Sequence, residues 1–137
     1  MGTGQRAYRY DLPSGADSVS ASPGFTWGRS GKAVSGAYLI NDTVPSNLTG
    51  RIVPLYDGLI DTVFVASENA DTFVIAIEKR VGAVFTELCT VTVTAARTKI
   101  EYLTNINVAY GDELACKIKS GSCKNPVVGI IIKGDSV

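Results

Sequence analysis

Carboxylates, thiols and amines are the groups in this chain that could do chemistry, because its 137 residues include no His. That absence removes Ser-His-Asp and Cys-His catalysis and every His-ligated metal site. Carboxylates stand close together at Asp57 and Asp61, at Glu68 and Asp71, and at Asp112 and Glu113. Acid–base catalysis would need one member of such a pair to keep its proton near neutral pH while the other loses it. Each pair instead sits beside Gly or Asn, where an ordinary solvated turn accounts for it. Glu68-Asn69-Ala70-Asp71 offers oxygen ligands of the kind calcium takes, but it lacks the spacing of an EF-hand loop and reads as a polar hairpin tip.

The three thiols point the same way. Cys89, Cys116 and Cys123 match no zinc spacing, and without His three thiolates cannot close a four-ligand site. Cys89 and Cys116 have strand-like neighbours and read as small buried residues. Cys123 lies in Ser120-Gly121-Ser122-Cys123-Lys124-Asn125, which reads as a turn, so it is expected to be the most exposed of the three. Only Lys124 stands beside it, a weak basis for a depressed thiol pKa. No GxxxxGK[ST] loop occurs, and the glycines between Gly24 and Gly31 precede no helix whose dipole would hold a phosphate. The expectation is a protein that is not an enzyme, with no catalytic residue, no metal and no cofactor.

Charge and hydropathy narrow the partners. Thirteen Lys and Arg balance thirteen Asp and Glu, so nothing predicts phosphate neutralisation along a nucleic acid. No apolar run reaches the 18 or so residues of a membrane helix, and Met1 to Tyr10 lacks the apolar block of a signal peptide. A soluble, cytoplasmically made chain with reduced thiols is expected.

Two zones must position these residues. Residues 1–35 are rich in Gly, Ser and Pro, with turn signals at Pro13-Ser14-Gly15 and Pro23-Gly24. Arg6, Tyr8, Arg9, Tyr10, Phe25, Trp27 and Arg29 stand out there, and Arg and aromatic residues are what interface cores favour. The zone reads as an extended N-terminal arm that orders against another chain; the competing reading folds it back over the domain's own core. Residues 36–137 form the second zone, of short apolar runs between Gly, Pro, Asn and Asp. Phe73, Ile75 and Ile77 are expected to share one face with Thr72 and Glu78 on the other, and Cys89, Val91 and Val93 to face inward with Thr90, Thr92 and Thr94 outward, a period of two that marks half-buried strands. Ile106, Val108 and Tyr110 are expected to share a face, as are Leu114, Cys116 and Ile118. Val127 to Lys133 is a nearly continuous β-branched run, the pattern of a strand covered on both faces. About eight strands with short connections predict an all-β, antiparallel sandwich or barrel, whose edges favour self-association.

Three segments carry a resemblance. Val44-Pro45-Ser46-Asn47-Leu48-Thr49-Gly50, then Ser67-Glu68-Asn69-Ala70-Asp71-Thr72-Phe73 with the Ile-x-Ile-x-Lys strand after it, and the closing Gly111 to Gly129 run resemble small bacteriophage structural proteins. The resemblance spans residues 36–134. It implies a jelly-roll or TNF-like β-sandwich used on the virion, as a capsid decoration (cement) protein or as the tip of a fibre or tail, and it implies no catalytic residue. No heptad or Gly-X-Y shaft accompanies the domain, which favours decoration. The expected partner is then the major capsid protein on the outer capsid surface, held by the arm. The subunit is expected to be a homo-oligomer, a trimer ahead of a dimer. The alternative is a receptor- or glycan-binding tip domain.

Overall fold

β-branched and aromatic runs pack well on a pleated surface, and here they continue through the polar interruptions that separate them in the sequence. The computed structural model describes residues 21–41 and 43–134, with side chains from residue 25 onward. The described residues form nine strands: β1 (Ala21–Gly28), β2 (Lys32–Val34), β3 (Ile40–Asn41), β4 (Val44–Pro45), β5 (Gly58–Val81), β6 (Val84–Tyr102), β7 (Asn107–Val108), β8 (Glu113–Lys124) and β9 (Val127–Gly134). All pairings are antiparallel, and the described residues contain no helix. The all-β antiparallel fold read from the sequence is what the chain builds.

β5 is the axis. β6 follows one of its edges from Val81↔Val84 to Thr62↔Tyr102, with β7 beyond at Gly58 and Leu59. The other edge pairs first with β9, over Gly58 to Ala66, and then with β8, over Phe73 to Arg80. β8 and β9 are separated only by Asn125 and Pro126, so together they behave as one kinked companion to β5. The shorter strands extend this three-stranded ribbon at both ends. β1 joins the outer edge of β9, with β3 and β4 beyond it, and β2 joins the outer edge of β8. Single bridges at Tyr38↔Lys117 and Ile52↔Leu114 continue the β2 side.

The ribbon's irregularity is concentrated at its middle, and that is where the polar interruptions fall. The β5–β6 register shifts between Ala66 and Phe73, and the β5–β8 register between Val74 and Ile75. Thr72 Oγ1 accepts a hydrogen bond from the Ala95 amide at 2.9 Å, and Asp71 Oδ2 accepts one from the Lys124 amide at 3.2 Å. Ala95 and Asn125 have positive φ, and Gly121 has φ 76°. A Cβ on Gly121 would lie 2.5 Å from the Thr72 carbonyl oxygen, so only glycine lets β8 approach β5 there. Two sequence expectations are thereby corrected. Glu68 to Asp71 is a bulged stretch inside β5 rather than a hairpin tip. Ser120 to Lys124 lies inside β8 rather than in a turn, and Cys123 is buried.

One apolar cluster lies within the curl. Phe73, Ile75, Ile77, Val91, Val93, Leu114, Cys116 and Ile118 supply one half of the ribbon's contribution, and Ile60, Val63, Val65, Val128, Ile130 and Ile132 the other. Each such aliphatic burial contributes on the order of 2 kcal/mol. The period-two reading holds at Val91–Val93; on β5, Phe73, Ile75 and Ile77 face the core as read, but Ala76 and Glu78 on the opposite face are buried as well. The face expected of Ile106, Val108 and Tyr110 stops at Val108, since Tyr110 is exposed.

The division at residue 35 also changes. β1 and β2 belong to the sheet, so the folded unit begins no later than Ala21. Trp27 is 1% exposed within the cluster, and Phe25 packs against it. The Arg29 amide donates to the Pro126 carbonyl at 3.1 Å, and its guanidinium donates to the Tyr38 carbonyl. Phe25, Trp27 and Arg29 are therefore internal contacts of the domain, and residues 21–35 are not a free arm. The Gly, Ser and Pro around them dilute a period-two signal that the pairing with β9 reveals. Arg6, Tyr8, Arg9 and Tyr10 lie outside the described residues.

Trp27 Nε1 meets no acceptor among the described residues, so the side chain acts by its bulk. Trp27→Ala is expected to cost about 3–5 kcal/mol in urea denaturation. Thr26→Ser, at an exposed position on the same strand, should stay within about 0.5 kcal/mol.

Candidate functional site

The carboxylate pairs that opened the sequence reading serve turns and ion pairs. Asp57 Oδ1 accepts from the Tyr110 amide at 2.9 Å, and Asp112 Oδ2 from the Ala109 amide at 2.8 Å. Asp61 accepts from the Thr62 hydroxyl and faces Lys133 at 4.0 Å. Among the described residues no three of Cys, Asp and Glu gather as metal ligands would.

Sequence reasoning missed the one buried carboxylate among the described residues. Glu78 lies on β5 just past a register shift against β6, and it is only 4% exposed. Its Oε2 pairs with Lys117 Nζ at 3.0 Å, and its Oε1 accepts from the Tyr38 hydroxyl at 2.6 Å. The bridge between Tyr38 and Lys117 sets both side chains beside it. The Tyr38 ring lies 5.6 Å from the Phe85 ring, and the Lys117 ammonium sits 5.8 Å from the Tyr38 centroid. Burial, then the hydrogen bond and charge of Glu78, hold the Tyr38 hydroxyl protonated well above the usual tyrosine range. Both carboxylate oxygens are occupied and the phenol keeps its proton. The cluster is a clasp fastening residues 36–39 to β8 and β5. Its only sequence signal was Glu at an alternating position in a strand, which looked like the solvent side.

The thiols are similarly withdrawn. Burial, with Glu87 adding to it, pushes Cys89 up to about 11; burial, with Asp71 adding to it, does the same for Cys123. Burial, with Cys89 and Glu78 adding to it, raises Cys116 well above the ordinary thiol range.

A second feature is exposed rather than buried. On the outer face of the ribbon, Phe64 stands opposite Ile100 and Thr62 opposite Tyr102 on β6. Across β5, Thr62 pairs with Ile131, Phe64 with Gly129 and Ala66 with Val127. Tyr102 is 76% exposed, Ile100 57%, and Phe64, Val127 and Ile131 39% each. A Cβ on Gly129 would lie 2.0 Å from the Phe64 ring, so the glycine lets the ring lie flat across β9. The β9 run read as covered on both faces is covered by this chain on one. Of the described residues singled out for partner binding, Trp27 points into the core and Phe25 packs against it.

The chain matches no family model and no curated protein. Among solved structures it is similar to Eiger TNF from S. frugiperda, with 12% sequence identity over 85% of this chain and 96% of that one, at a TM-score of 0.45.

Removing the clasp's carboxylate leaves a part-buried ammonium and a phenol without their acceptor. Glu78→Ala should lower stability by about 2 kcal/mol in chemical denaturation, reduced from a fully buried pair because Lys117 reaches solvent. Stability should also fall in alkali. Unfolded thiols release protons near 9.0 and unfolded tyrosine near 10.0, while the folded groups hold theirs longer. The stabilisation is complete below those values and is lost as pH climbs toward about 11, so the urea midpoint should drop over that range. The drop should shrink in a Cys89→Ala, Cys123→Ala double variant.

Proposed function

We propose that this chain is a bacteriophage virion structural protein, a capsid decoration subunit. It binds the outer surface of the major capsid protein shell as a homo-oligomer and acts by adhesion, with no bond-making step. The segments at Val44–Gly50, Ser67–Phe73 and Gly111–Gly129 that resemble phage structural proteins support this reading, and the all-β antiparallel fold agrees with it.

The observation that carries it is that the buried carboxylate and hydroxyls are committed to holding the scaffold. Glu78 is held by Lys117 and Tyr38, Ser46 exchanges hydrogen bonds with the Cys116 backbone, and Ser67 donates to the Asn69 carbonyl. The thiols keep their protons for the reasons above. A domain organised this way resists deformation. Placed across a joint between capsid subunits, it adds buried surface that must be separated before the joint can open under the pressure of packaged DNA. A closed cyclic oligomer suits the local symmetry of such joints, a trimer at three-fold positions. The docking arm in this reading is residues 1–20 with Arg6, Tyr8, Arg9 and Tyr10, since residues from Ala21 onward belong to the sheet.

The test is co-sedimentation with expanded capsids that lack the protein. The whole chain should pellet with them, and a chain starting at residue 21 should stay folded by circular dichroism but remain in the supernatant. Antibody labelling of virions should mark heads. Labels confined to tail or fibre tips would replace this reading with the receptor-binding one.

A further inference from the structure

We infer that the outer face of β6, β5 and β9 around Phe64 is the surface through which copies of this chain join. The inference rests on the homo-oligomeric reading above and specifies where the copies meet.

The first argument is patterning. A β-branched run such as Val127 to Ile132 is typical of strands buried on both faces, and an antiparallel strand facing water alternates instead. Here one face of β9 lies in the core while Val127 and Ile131 remain open on the other, with Phe64, Ile100 and Tyr102 beside them. The second argument is area. These five side chains expose roughly 500 Å², at the upper end of what a soluble monomer presents in one patch. With the flanking threonines and glycines of β1 and β6, the face approaches the roughly 800 Å² per partner of a standard interface.

Charge and shape choose the occupant. No Lys, Arg, Asp or Glu occurs in the outward-facing register from Thr62 to Ala66, from Thr98 to Tyr102, or from Val127 to Ile131, and the Asp61–Lys133 pair lies at the rim. A charged partner would find nothing complementary, and the basic border of a membrane-binding face is missing from it. Another apolar surface fits, and a second copy, with a formal net charge of zero, supplies one without repulsion. The relief is self-complementary as well. Tyr102 and Ile100 rise along the ribbon's edge, whereas Phe64 lies flat over Gly129 with Thr26 and Gly28 of β1 beyond, a ridge and a shelf on the same face. An oligomer closed about a rotation axis can seat the ridge of one copy on the shelf of the next.

Sedimentation of the full-length chain with Ile100→Lys and Tyr102→Lys variants tests this. The unaltered chain should sediment as a single oligomer at low micromolar concentration. Each variant should raise the dissociation constant at least about thirtyfold, the size of a hot-spot loss, with an unchanged circular dichroism spectrum. Val84→Lys, exposed at the far end of the β5–β6 hairpin, should leave assembly intact. Amide exchange on the unaltered chain gives a readout free of mutation: residues 98–102 should gain protection as concentration rises. A monomeric unaltered chain overturns the inference, as does an oligomer indifferent to both variants, or a face that binds only capsid or only the chain's own residues 1–20. If copies join through this face and virion heads go unlabelled, the inference stands and the capsid reading falls; capsid binding by a monomer does the reverse.

Discussion

The close approach of β8 to β5 at Gly121 is the constraint on which the rest of the fold depends. Three long strands can share one ribbon across two halves of a core only if the ribbon changes direction without breaking its ladders. Between Ala66 and Phe73 the pairing is redirected, and there the Thr72 hydroxyl accepts from the Ala95 amide and the Asp71 carboxylate from the Lys124 amide. Gly121 must lack a Cβ because the Thr72 carbonyl and the Phe73 backbone occupy that space. Without this contact, β8 and β9 could not both lie along one edge of β5, and their inward residues would not reach a common cluster.

Burial then sorts the chemistry. Residues that could in principle react are either drawn into the scaffold or left at its solvated turns. Glu78 is the instructive case, because an isolated buried carboxylate would be costly. Lys117 and the Tyr38 hydroxyl neutralise and saturate it, and in doing so they reinforce a segment that lies outside the named strands and meets β8 at one bridge with its flanking backbone hydrogen bonds. The polar cluster thus stabilises an edge where regular pairing is sparse.

The sequence made the strands legible where alternation was clean, as at Val91–Val93, because period two reports burial directly. It misplaced the boundaries at Glu68–Asp71 and Ser120–Lys124, since a bulge and a turn select the same residue types. It misread Trp27 because short polar residues around an edge strand resemble a linker, and only pairing with β9 distinguishes the two. Glu78 was hidden because its burial depends on Tyr38, forty residues earlier, whose approach no local pattern announces. The outer face around Phe64 was half visible: the unbroken apolar run of β9 signalled coverage, yet nothing in one chain says who provides it.

The pairing of β1 with β9 has a consequence for how the protein is made. Among the described strands, the earliest in the chain takes the latest as its neighbour, with Trp27 set opposite Val128. Such a contact closes a loop of nearly the whole domain, which makes it slow to form. During synthesis the β5–β6 hairpin can zip while later residues are still being added, but Trp27 has no site to enter until β9 has left the ribosome. Completion of the core therefore waits for β9, and the nascent chain carries an uncovered indole until that strand emerges.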